Sequence, residues 1–132
     1  MREILFRGKR LDNGEWVEGF PYITHGGEHQ IRYYDSESNI ENCSHTVIPD
    51  TLGQFTGLTD RNGVKIFEGD VIEYTDGCND WLGAVKYASD DAQFFVRFIG
   101  GDVESFDNLY SGDCEVLGNI YDTPELLEVM GK

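Results

Sequence analysis

Glycine punctuates this chain and limits what it can become. Sixteen glycines against three prolines separate short segments rich in Val, Ile, Tyr, Phe and Trp, the residues that fit the pleated, half-buried surface of a sheet. The pattern predicts a mainly β protein of antiparallel strands. Asn13-Gly14 sits between Ile4-Leu5-Phe6 and Glu15-Trp16-Val17-Glu18-Gly19-Phe20, and an Asn-Gly step supplies the positive φ angles of a hairpin turn. Asn62-Gly63, ahead of Val64 to Phe67, echoes it one residue out of register. Shared turn chemistry accounts for the echo without an internal duplication.

Further strands are expected at Gln30–Tyr34 and Thr46–Ile48, with a loop or hairpin end over Asp35–Asn42. From Glu68 onward the segments around Val71 and Tyr74, then Leu82–Tyr87 and Phe94–Phe98, read as a meander, with a short strand at Glu104–Phe106 and a return to the sheet at Glu115–Ile120. By analogy it forms a small SH3-like, partly open barrel, and such an analogy speaks to topology and not to activity. Thr123 as N-cap, Pro124 at the first helical position and the apolar Leu126, Leu127, Val129 and Met130 predict a short helix over 123–130. The expectation is one domain spanning 1–132, with an N-terminal β subregion over 1–50, a barrel-like region over 51–122 and the helix at the end.

With 39% hydrophobic and 13% aromatic residues in 132, an ordinary core is within reach. The formal charge is −15, so a direct grip on nucleic acid or on an anionic membrane works against the whole-molecule field. The segment Met1–Arg7 is too soon interrupted by charge to be a secretory h-region, and no long apolar run occurs. Three cysteines, Cys43, Cys78 and Cys114, are odd in number and form no C-x-x-C pair, which fits reduced thiols in a cytoplasmic protein.

The motifs of nucleotide-binding loops, nucleophile elbows and zinc peptidases are absent from the sequence, so neither catalytic residues nor a cofactor is expected. His25 and His29 are separated by Gly26-Gly27, which removes the helical spacing a metal pair needs. Cys43 and His45 can share one side of a strand without a third ligand of recognisable spacing. Asp76, Asn79 and Asp80 supply oxygens in one loop without the alternation of a calcium-binding hand. Trp16, Tyr33, Tyr34 and Trp81 stand beside turns or polar segments and are the candidate contact residues, as stacking surfaces for a partner. The first ten residues are locally basic (Arg2, Arg7, Lys9, Arg10 against Glu3), whereas residues 99–131 contain no Lys or Arg.

Together, Arg7-Gly8-Lys9-Arg10, Gly14-Glu15-Trp16-Val17-Glu18-Gly19, Gly53-Gln54-Phe55-Thr56-Gly57-Leu58-Thr59-Asp60-Arg61-Asn62-Gly63, Ile66-Phe67-Glu68-Gly69-Asp70-Val71-Ile72 and Glu115-Val116-Leu117-Gly118-Asn119-Ile120-Tyr121, with Pro124-Glu125-Leu126, closely resemble the YopX family of bacteriophage and prophage proteins. The resemblance implies a small cytosolic protein encoded by a phage or prophage; it brings no catalytic residue set with it. The function expected is therefore a non-enzymatic protein-interaction module, self-association included. The alternatives are an acidic mimic of DNA that inhibits a nucleic-acid-binding protein and a carboxylate-based hydrolase.

Overall fold

A computed structural model describes residues 4–35, 40–90, 92–106 and 109–126, except for the side chains of 34, 35 and 40–42. The chain divides into two compact units, Met1–Phe55 and Thr56–Lys132. Their strands form two antiparallel sheets, and among the described residues no helix is long and apolar enough to cross a membrane.

The first unit contains β1 (Phe6–Lys9), β2 (Trp16–Ile23), β3 (His29–Asp35), β4 (Ile40–Thr46) and the start of β5 (Gly53–Thr59), in the sheet order β4-β3-β2-β1-β5. The expected opening hairpin is present, with Arg7 opposite Glu18 and Lys9 opposite Trp16. Its turn is closed by Arg10 N–H on the Glu15 carbonyl, and Gly14 takes φ +74°, a conformation open to glycine at little cost. A side chain at Gly19 would come within 2.3 Å of the Arg32 carbonyl oxygen, so the β2–β3 approach itself requires glycine there. Among the described residues of this unit, Ile31, Val47 and Phe55 are buried apolar side chains. Of Asp35–Asn42, expected as a loop or hairpin end, Asp35 closes β3 and residues 40–42 open its antiparallel partner β4, while Ser36–Asn39 lie outside the described residues. Edge strands tolerate polar side chains, which is why Glu41-Asn42-Cys43-Ser44-His45 carries no apolar alternation.

In the second unit the continuation of β5 is followed by β6 (Lys65–Phe67), β7 (Asp70–Thr75), β8 (Asp80–Ala88), β9 (Gln93–Phe98), β10 (Val103–Ser105) and β11 (Cys114–Asn119). The five-stranded sheet runs β10-β9-β8-β7-β11. Strand alternation puts Ile72, Val85, Phe94, Val96 and Phe98 on one face, where they bury with Ile66, Phe106 and Cys114. The meander expected from Glu68 is therefore real. The sheet does not close into a barrel, because β11 returns to β7 and leaves β10, three residues long, at the opposite edge.

Polar side chains near the glycine turns bind backbone. Thr56 Oγ1 donates to the Ile66 carbonyl and accepts from Leu58 N–H, and buried Asp70 accepts from Phe67 N–H at 2.7 Å. Asp60 accepts from Asn62 N–H and Val64 N–H on one oxygen and from Val116 N–H on the other, at 2.8–2.9 Å. At the C-terminal end the Thr123 hydroxyl exchanges hydrogen bonds with the Asn119 backbone, and the Thr123 carbonyl accepts from Leu126 N–H. Helical geometry is described at 125–126, and positions 127–130 of the expected helix lie outside the described residues.

Candidate functional site: an acidic aromatic cleft

The turn Asp76–Asn79 joins β7 to β8 and sets their register, so Tyr74 falls opposite Trp81. One strand further, Gly83 falls opposite Phe98, and a side chain at Gly83 would crowd the Phe98 ring at 2.9 Å. Three rings therefore gather at one end of the core face. Their centroids are 5.6 Å apart for Tyr74–Trp81, 6.4 Å for Tyr74–Phe98 and 6.5 Å for Trp81–Phe98, with tilts of 32–50°, within the range of favourable aromatic pairs.

These rings, with Leu109 and Val103, line a cleft of about 440 Å³ whose polar side chains include Asp76, Asp102 and Glu104. No Lys or Arg is among its lining residues. Asn79 and Cys78 donate their N–H groups to Asp76 Oδ1 at 2.8 and 2.9 Å, and this holds its carboxyl below the ordinary carboxylate value. Asp76 thus closes the turn, and the two N–H groups favour its carboxylate form. An aromatic floor with a carboxylate rim suits a cation: the ring faces attract ammonium or guanidinium groups and the carboxylates supply charge-assisted acceptors.

The four candidate contact residues are divided between the two units. Trp81 is in this cleft. Trp16, in the other unit, sits beneath the Arg7 guanidinium, 4.6 Å from ring centroid to Cζ. Tyr33 is hydrogen-bonded through its hydroxyl to His45 Nε2 at 2.8 Å and stacks on that ring at 5.7 Å. The side chain of Tyr34 lies outside the described residues. His45 shares a face of β4 with Cys43, and the Tyr33 contact occupies one of its ring nitrogens. Among the described residues, no group of three His, Cys, Asp or Glu is placed to hold a metal. Burial first, then Asp113 and Asp60, push the Cys114 thiol up to about 11, so it is protonated at neutral pH and unsuited to nucleophilic work.

Sequence reasoning missed Tyr74, Phe98, Asp102 and Glu104. A signal for the first was present: Tyr74 and Trp81 stand symmetrically about the Asp76–Asn79 turn, as cross-strand partners must. The carboxylates depend on the β9–β10 hairpin, whose Gly100-Gly101 turn does not announce its register.

The fold and cleft define a mainly β protein of two units with an acidic aromatic recess. The family model described as YopX protein matches residues 5–128, and the chain belongs to that family. Among solved structures it is similar to protein EF1440 from Enterococcus faecalis, at 24% identity over 96% of this chain and 99% of that one, with a TM-score of 0.54. That likeness concerns the fold alone. No curated protein matches the chain.

Proposed function

We propose that this protein is a non-enzymatic interaction module that docks a cationic segment of another protein in the acidic aromatic cleft. The observation that carries the reading is the gathering of Tyr74, Trp81 and Phe98 beside Asp76, Asp102 and Glu104, with no cation among the lining residues. The sequence resemblance supports a setting in phage or prophage biology, within the bacterial cytoplasm. An SH3-like reading of the β7–β10 meander accords with peptide docking, and self-association is the case in which the cationic segment comes from a second copy.

A charge of −15 and the absence of Lys and Arg over residues 99–131 favour a second reading, a DNA mimic that presents carboxylates in place of phosphates. The two separate in one experiment. Tagged protein is used to capture partners from bacterial lysate with and without phage induction, beside an Asp102→Asn/Glu104→Gln double variant and with competing duplex DNA. A partner lost in the double variant and retained against DNA supports cleft docking. A partner displaced by DNA supports the mimic, and one held equally by wild type and variant without DNA competition rejects both.

A further inference from the structure

On the other face of the same five-stranded sheet lies a second cleft, of about 350 Å³. Ala84 and Arg97 are cross-strand partners, and Lys86 follows Ala84 by two residues on β8, so Lys86 and Arg97 leave the same face as diagonal neighbours. Both are exposed and both line the cleft. In a chain with 25 acidic and ten basic side chains, neither forms an ion pair among the described residues. Two cations left side by side repel one another, and nearby Asp102 lines the opposite, acidic cleft instead.

The rest of this second cleft is apolar or bare backbone. Ala84, Ile99 and Ile120 give it apolar lining, and the Gly100-Gly101 turn forms another wall. Both glycines hold left-handed φ angles, +103° and +101°, and a Cβ built on either meets nothing within 4 Å. The Gly101 N–H is bound to the Phe98 carbonyl, whereas the Gly100 N–H has no backbone acceptor among the described residues.

We propose that this cleft binds a small organic anion, a carboxylate or phosphate with an apolar portion, whose charge is held between Lys86 and Arg97 while Ala84, Ile99 and Ile120 contact its apolar part. Arg97 provides the planar fork that matches either anion, and Lys86 a point charge beside it. Phe98 lines both clefts, but Lys86 and Arg97 line only this one, so the two proposals are tested independently.

The test is an amide NMR titration of the full chain with three probes: inorganic phosphate, butyrate and, at matched ionic strength, chloride. The expected result is saturable shifts at Lys86, Arg97, Gly100 and Gly101 with a Kd on the order of millimolar or tighter for phosphate or butyrate, and none that saturate with chloride. Tighter phosphate binding identifies a phosphate ligand, and tighter butyrate binding an apolar carboxylate. Lys86→Gln and Arg97→Gln, both on exposed side chains, are each expected to weaken binding at least about fivefold with the rest of the spectrum unchanged. Shifts that fail to saturate, that chloride reproduces, or that survive both substitutions overturn the proposal.

Discussion

Replacing Asp60 with Asn tests whether one buried carboxylate fastens the β5–β6 turn to β11. Asp60 is 5% exposed and accepts the three N–H groups of Asn62, Val64 and Val116. Burial alone would raise its pKa, but the bonds from Val116, Val64 and Asn62 outweigh it and leave the carboxyl below 3.8. In Asp60→Asn the remaining carbonyl oxygen still serves the Asn62 and Val64 amides, now without charge. The new NH2 group faces the Val116 N–H, donor against donor. Losing one charge-assisted bond and weakening two gives a cost of about 2–4 kcal/mol.

Urea denaturation of the second unit reads this through Trp81 fluorescence in a Trp16→Phe background, which silences the other tryptophan. Because the folded pKa is depressed, the stabilisation by ionised Asp60 is complete above its unfolded value of 3.8 and is lost as pH falls through the lower folded value. The gap between wild type and Asp60→Asn is therefore expected at full size at neutral pH and to narrow in strong acid. A midpoint at neutral pH shifted by less than the equivalent of about 1 kcal/mol, or a gap independent of pH, would refute the reasoning.

Other expectations rest on separate contacts. Gly83→Ala puts a Cβ 2.7 Å from both the Arg97 carbonyl oxygen and Val96 Cγ1, and thermal unfolding is expected to register a loss of about 1–3 kcal/mol; an unchanged melting temperature contradicts it. Tyr33→Phe removes the hydroxyl bonded to His45 Nε2, at a cost of about 1 kcal/mol in chemical denaturation of the first unit. With a thiol reagent near pH 8, exposed Cys78 should react at once while Cys114, buried and protonated up to about 11, reacts only on unfolding. Rapid labelling of Cys114 in the native protein would contradict its burial.

Much of the architecture was legible because turn chemistry is local. Asn13-Gly14 and Asn62-Gly63 mark real turns, with Gly14 at φ +74° and Gly63 at φ +80°. The second is closed by Asp60 N–H on the Val64 carbonyl, one residue shorter than the first, which accounts for the echo one residue out of register. The strands with clear apolar alternation, β7 to β9, could be read directly. β5 escaped because Gly53-Gln54-Phe55-Thr56-Gly57 carries two glycines in seven strand residues, and β4 because its polar side chains suit an edge. Of the cleft, Trp81 was legible as a tryptophan beside a turn, but its neighbours arrive by cross-strand register across β7, β8, β9 and β10. Trp16 and Tyr33, equally prominent in sequence, are engaged by Arg7 and His45 within their own unit.

Docking of a cationic segment is tested most directly by an amide NMR titration with a short peptide of alternating arginine and glycine, followed at the Trp81 indole and across the second unit. The account predicts saturable shifts concentrated at Tyr74, Trp81, Phe98, Asp102 and Glu104. They should weaken with salt, as exposed ion pairs do, and be strongly reduced in the Asp102→Asn/Glu104→Gln variant. Shifts spread evenly over the acidic surface, or centred away from these residues and indifferent to the double substitution, would contradict it.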